Sequence, residues 1–362
     1  MVEIIPSKGR PLRAGRYIDP RGETFEDVLV DPADGRLITP PTPGADVLDL
    51  GPFTIVPGMV DAHVHLALPP PRLGEDPAAV MAGRLDRFAE HGLVAVRDGG
   101  DRLGHTLALK KRGGLPYLAA CGPALHPPGS YGSFLGPGSD PDEIAGCIDV
   151  LARSGADHVK LLVTGPVNLE SPDMADRPHF TAGALALLTG AAHRRGLKVM
   201  AHVNGVVGVR LALEAGVDSI EHGYGMDDAT LALLAERGTT WIPTLVPMAA
   251  LGETGPPRLR RAADAVLARQ MDAVRRGHEL GVTLAVGTDA GAPGVRHGAS
   301  YRRELLLLAA AGVPAGALVR AAAAESLLGP YGAPGRPWVF AAVEGNPLAD
   351  AGSLGRVRAV IV

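Results

Sequence analysis

From about residue 57 onward the chain repeats one pattern: an amphipathic stretch closes on a glycine, and a short apolar, β-branched run follows at once. The pattern recurs at AEHGLVAVRD, ARSGADHVKLL, HRRGLKVMAH, LEAGVDSIEH, AERGTTWIPT and HELGVTLAVGTD. Glycine suits the left-handed position that closes a helix, which explains its place just before each predicted strand. The upstream segments read as helices with one apolar face. In PDEIAGCIDVLARSG, Ile144, Cys147, Ile148 and Leu151 share a face, with Ser139 or Asp140 as N-cap. Adding TIVPGMVDAHVHL and LPYLAACGPAL gives eight strands separated mostly by helices. Such alternation implies parallel strands with right-handed crossovers. The fold predicted is α/β, a (β/α)8 TIM barrel over residues 57–332. An open doubly wound sheet fits less well, because no glycine-rich dinucleotide fingerprint follows any strand.

The two ends read differently. Residues 1–56 are rich in Pro, Gly and Asp, with short apolar fragments such as DVLV, DVLDL and FTIV, and residues 333–362 return to that style in PWVFAAVEGNP and RVRAVIV. Short strands joined by turns are expected in both. They predict one small β-sandwich domain formed by both termini, 1–56 with 333–362.

Composition narrows the function classes. Hydrophobic residues make up 46% of the 362 and charged ones 20%, enough for a sizeable core. The net charge of −4 leaves no footprint for nucleic acid or an anionic membrane. Two cysteines, Cys121 and Cys147, make no disulfide framework and fit no metal spacing. No apolar run follows the basic N-terminal residues, and the apolar stretch at 305–313 is too short to span a bilayer. The expectation is a cytoplasmic enzyme or binding protein with a small-molecule or peptide partner; a homo-oligomer stays open.

Candidate chemistry lies at the strand ends. Counted from the helix-closing glycine, a polar residue follows after roughly one strand length: Gly155 leads to Lys160, Gly196 to His202, Gly216 to His222 and Gly281 to Asp289. These four should emerge at the C-terminal rim, where barrel active sites assemble. His63 and His65 in VDAHVHLAL are two apart on a strand and point the same way. Nitrogen and carboxylate donors of this kind suit zinc or another divalent transition metal. A lone H-x-H would fit a polar pair on a strand equally well; the shared layer is what argues for a metal.

The order H-x-H, strand Lys, two strand-end His and Asp resembles the amidohydrolase superfamily of metal-dependent hydrolases. The words PGMVDAHVHL, HVKLLVTG, AHVNG, SIEHG and VGTDAG carry the resemblance, which runs from about residue 50 to the end. The branch is the imidazolonepropionase-like group that includes Xaa-Pro dipeptidases. The resemblance implies a binuclear centre, with His63, His65 and Asp289 on one metal, His202 and His222 on the other, and an N6-carboxylated Lys160 bridging them. Zinc is the metal expected. It implies a metal-bridging hydroxide as nucleophile and Asp289 as proton shuttle, cleaving an amide or peptide-like C–N bond. The substrate expected is a dipeptide, an N-acyl amino acid or a modified peptide, near a free carboxylate. Apolar neighbours Val159, Leu161 and Leu162 should push Lys160 toward its neutral, reactive amine. Three alternatives stand beside this: a lysine paired with a carboxylate, a single-metal hydrolase opening a cyclic amide, and a catalytically silent metal-binding barrel.

The chain departs from that branch in the loop HPPGSYGSFLGPG, where Tyr131 stands in place of an expected histidine. Substrate-binding candidates are therefore Tyr131, His126, Tyr224 and His297, with His179 a weaker one. Arg97 and Asp98 are expected to pair with each other, and His158 to sit at the barrel floor. His91, His193 and His278 are placed near helix C-termini and His105 on a helix. The C-terminal strands look trimmed, ending at AVIV.

Overall fold

The apolar run TIVPGMVDAHV divides at Gly58, whose N–H donates to the Val339 carbonyl at 2.7 Å. Its two halves enter different sheets in the computed structural model, which describes residues 2–38, 45–169, 177–330 and 337–362. The first half joins strands from both ends of the chain. These are β1 (Glu3–Ile5), β2 (Leu12–Ile18), β3 (Thr24–Val30), β4 (Leu48–Asp49) and β5 (Thr54–Pro57). The second half is β6 (Met59–Val64), the first of the repeated units. They continue with β7 (Leu93–Asp98), β8 (Tyr117–Ala119), β9 (His158–Leu162), β10 (Lys198–Val203), β11 (Ser219–His222) and β12 (Thr240–Ile242). The chain closes with β13 (Phe340–Val343) and β14 (Val357–Ile361).

The terminal sheet runs β1-β14-β13-β5-β2-β3, with β4 beside β2. Its own apolar cluster includes Leu12, Tyr17, Ile55 and Phe340. A second cluster, Val94, Val339 and Val360, seats it against the repeated units.

The central strands form two parallel sheets, β6-β7-β8 and β12-β11-β10-β9. Parallel bridges join them at Leu125–Leu161, Trp241–Leu284 and Val64–Ala290, so the contacts return to β6 where they began. Helices α1 (Pro77–Glu90), α2 (His105–Leu109), α3 (Pro141–Arg153), α4 (Ala182–Arg194), α5 (Val206–Glu214) and α6 (Asp228–Arg237) fall between successive strands. After β12 come α7 (Leu245–Thr254) and α8 (Pro257–Glu279). Later come α9 (Tyr301–Ala310), α10 (Ala315–Ala323) and α11 (Glu325–Leu328). Ile144, Ile148 and Leu151 of α3 are buried, as the helical spacing requires. Among the described residues no helix is long and apolar enough to cross a membrane.

The eighth predicted strand, in VTLAVGTD, makes isolated bridges rather than a continuous ladder. Its hydrogen bonds go to two neighbouring strands, to α10 through Val286 N–H and Ala321 O, and to a side chain. Ala285 N–H donates to Trp241 O, and Asp289 N–H donates to His63 O. Thr288 N–H and hydroxyl donate to the Asp61 carboxylate, at 2.9 and 2.7 Å.

Candidate metal centre

β6 places His63 and His65 on one side, two residues apart, and their Nε2 atoms face each other at 3.3 Å. Asp289 Oδ1 lies 3.3 Å from His65 Nε2 and 3.6 Å from His63 Nε2. One donor atom from each residue fits within a span of 4.8 Å. Close packing at two glycines makes room for these rings. A Cβ on Gly99 would meet His65 Cε1 at 2.5 Å, and one on Gly287 would meet His63 Cβ at 2.8 Å.

His202 and His222 stand beside this trio. Their ring centroids are 4.6 Å apart, and His222 is 4.9 Å from His63. Each is oriented through one nitrogen: His202 Nε2 meets Gly165 O at 3.0 Å, and His222 Nδ1 meets Thr244 Oγ1 at 2.7 Å. That leaves His202 Nδ1 and His222 Nε2 as the nitrogens that could hold a metal. In a regular strand Glu221 and His222 would point to opposite faces. A left-handed backbone at His222, φ 68°, breaks that alternation, and Asp289 turns in the same way with φ 57°.

Burial drives the electrostatics. All four imidazoles are held far below their ordinary pKa, His65 and His202 at about 3, chiefly by desolvation and next by neighbouring Lys160 or another histidine. They are therefore neutral, with lone pairs available. Burial also lowers Lys160 and raises Asp289, whose rise Lys160 opposes. Lys160 is 1% exposed, and its Nζ has no hydrogen-bond partner among the described residues. A buried polar atom left alone is costly, so a partner is missing there. Lys160, His65, His202, His222 and Asp289 line one cavity of about 230 Å³, and His63 sits immediately behind it. The donor set, the neutral imidazoles and the unpartnered amine all fit bound divalent metal.

Of the substrate-binding candidates, Tyr131 and Tyr224 line that cavity. Tyr131 lies tilted over His202, centroids 5.3 Å apart, and burial raises its phenol to about 12. His126 is turned into its own loop, with Nδ1 at Pro127 O (2.9 Å) and Nε2 at Gly136 O (3.2 Å). His297 Nε2–H donates to His65 O at 3.1 Å, so it steadies the metal-site strand from outside. His179 Nδ1 meets Leu162 O. His158 Nε2 lies at Asp98 O, buried within the strands.

The expected Arg97–Asp98 pair does not form. Neighbouring strand residues face opposite ways, and Arg97 reaches across to Glu221 Oε1 at 3.0 Å while Asp98 accepts from the Leu66 and Gly100 N–H groups. In SIEHG the sequence pattern assigns Glu221 no role, yet a fully buried carboxylate needs partners. Its Oε2 holds His63 Nδ1 at 2.6 Å, and its Oε1 also accepts from Ser219 Oγ at 2.6 Å. Asp61, two residues before His63 on the same strand face, was passed over in the same way.

Residues 54–327 match the amidohydrolase family profile. An uncharacterized protein of Mycobacterium tuberculosis is 32% identical over 271 residues, 73% of this chain and 71% of that one. Ochratoxinase of Aspergillus niger is 29% identical over 161 residues, covering 42% and 32%. Among solved structures, a Xaa-Pro dipeptidase with methionine bound in its active site superposes with a TM-score of 0.81 at 24% identity, covering 96% of this chain and 97% of that one. The ochratoxinase structure gives 0.79 at 20% identity, covering 96% and 93%.

Proposed function

The chain belongs to the amidohydrolase family, and from that premise we propose that it is a metal-dependent hydrolase cleaving an amide C–N bond. The circuit of parallel strands is read as a (β/α)8 barrel, with the site at its C-terminal rim and the terminal sheet as a separate small domain. His63, His65 and Asp289 would hold one divalent ion and His202 and His222 a second, with a carboxylated Lys160 as a further ligand. Zinc suits these donors. When bound, the ions polarise the amide carbonyl and make water acidic enough to attack near neutral pH.

The chain's own residues do the rest. Burial shifts Lys160 toward its neutral amine, the form that can add CO2 to give a carbamate anion and release one proton. The Asp289 carboxylate takes a proton from the attacking water and passes it to the departing nitrogen, so amide and water become carboxylic acid and amine. Glu221 orients His63 through Nδ1, keeping Nε2 toward the cavity. The observation that carries this reading is the convergence of His63, His65 and Asp289 within 4.8 Å beside a buried Lys160 with no partner. A second reading keeps one ion at those three residues, whose donor atoms are the ones that converge.

Metal analysis and turnover of amide substrates test the proposal. The expected content is about two zinc equivalents per chain, falling by at least one in Lys160→Ala. One equivalent untouched by that substitution supports the single-ion reading instead. Asp289→Asn should lose roughly a thousandfold in kcat. Full turnover in that variant would remove Asp289 from the reaction.

A further inference from the structure

The rest of the cavity wall bears on what flanks the scissile bond, an inference that rests on the amide-hydrolase reading. Besides the candidate ligands, the polar side chains lining it are Tyr131, Asn204 and Tyr224. Asn204 is engaged at both ends, its Oδ1 accepting from Tyr224 N–H at 3.1 Å and its Nδ2 donating to Gly165 O at 3.4 Å. The Tyr224 hydroxyl donates to Thr244 O at 2.7 Å. What remains to meet a substrate is the Tyr131 hydroxyl, which is neutral at physiological pH. The wall is otherwise apolar: Leu68, Phe134, Leu135, Val167, Met248 and Pro293. No arginine lines it among the described residues, and its one lysine is Lys160. The candidate histidines His126, His179 and His297 do not line it, and each is hydrogen-bonded to a backbone carbonyl.

We propose that the substrate is an uncharged amide with small apolar groups beside the scissile bond, rather than a free-carboxylate dipeptide or N-acyl amino acid. A carboxylate in this cavity would lose its water with no side-chain cation to meet it. The one cationic centre on offer is the place where the scissile carbonyl must sit, so an acid directed there would block the site. The space is also modest. A cavity of about 150 Å³ holds benzene, and 230 Å³ admits an aryl or branched alkyl group beside the amide. The reaction is R–CO–NH–R′ plus water giving R–COO⁻ and R′–NH3⁺, with R and R′ apolar and Tyr131 as their neutral hydrogen-bonding neighbour.

The test uses the full-length, zinc-loaded protein and matched pairs. N-acetyl- and N-benzoyl-phenylalanine are set against the same acyl groups on phenethylamine, and the leucine compounds against those on 3-methylbutylamine. Amine release gives kcat/KM for each. The neutral members should be faster by at least tenfold, about 1.4 kcal/mol. Equal or faster cleavage of the carboxylates would overturn this proposal and leave the amide hydrolase standing. Turnover of neither series would remove the amide-hydrolase reading, and this inference with it.

Discussion

Glu221 ties three strands together through one carboxylate. Oε2 holds His63 at 2.6 Å, and Oε1 holds Arg97 and Ser219, all out of water. A carboxylate on the far nitrogen of a ligating imidazole fixes the ring and makes it a better donor, typically worth 10–100-fold in metal affinity. Glu221→Ala should therefore weaken zinc binding by about that factor in a chelator competition. It should also destabilise the fold by roughly 3–5 kcal/mol, because Arg97 would stay buried without its partner. Glu221→Gln, which keeps a hydrogen bond to the His63 ring, should fall between Ala and the parent in affinity. Unchanged zinc affinity in both variants would reduce Glu221 to a partner for Arg97. The sequence already contained this residue: a Glu within SIEHG, on a strand otherwise meant for burial, calls for a partner. What it could not supply was the partner's identity, since Arg97 and His63 lie more than a hundred positions away.

Strand ends and turns aim the candidate ligands. His222, Thr244 and Asp289 all adopt positive φ, at 68°, 47° and 57°. Such conformations cost of order 1–3 kcal/mol each and persist where the surroundings impose them. Here two hydrogen bonds engage all three, one between His222 Nδ1 and Thr244 Oγ1 and one from Asp289 N–H to His63 O. Gly99 and Gly287 act by close approach, leaving no room for a Cβ. Gly99→Ala should push the His65 ring out of place, lowering bound zinc and cutting kcat/KM by about tenfold or more. Metal content and turnover equal to the parent would show that the ring has room to give. Glu304 on α9 works at a helix end: its oxygens accept from Leu245 and Val246 N–H at 2.9 and 2.8 Å, capping α7. Removing it in Glu304→Ala strands both donors in a buried place and should cost about 1–3 kcal/mol, read as a lower thermal midpoint. None of this was visible in the helix–glycine–strand pattern, because caps and backbone turns of this kind depend on neighbours remote in sequence.

At the scale of the molecule, candidate ligands from five chain segments spread over more than two hundred positions meet at or beside one cavity. Four neutral imidazoles, the buried Asp289 carboxyl and a Lys160 without a partner among the described residues, all in one dry place, favour the state that binds metal. Metal that binds only the folded chain stabilises it by mass action, about 4 kcal/mol at a thousandfold excess over Kd. Stripping with a chelator should therefore lower the thermal midpoint by roughly 5 °C or more, and zinc should restore it. A midpoint indifferent to chelator and zinc would mean that the folded chain gains nothing from the ion.

Much about this protein was settled by its sequence alone. Periodicity set the alternation of helix and strand, because each element must bury a face of fixed period. The spacing of about one strand length from helix-closing glycine to polar residue predicts that Lys160, His202, His222 and Asp289 share one rim, and all four line one cavity. The tertiary structure alone decided where each ring nitrogen points, that Arg97 belongs to Glu221 and not to Asp98, and that His297 serves the strand of His65. It also decided that VTLAVGTD spends its hydrogen bonds on two neighbouring strands, on α10 and on the Asp61 carboxylate. Those outcomes hang on contacts between residues far apart along the chain, and no local spacing encodes them.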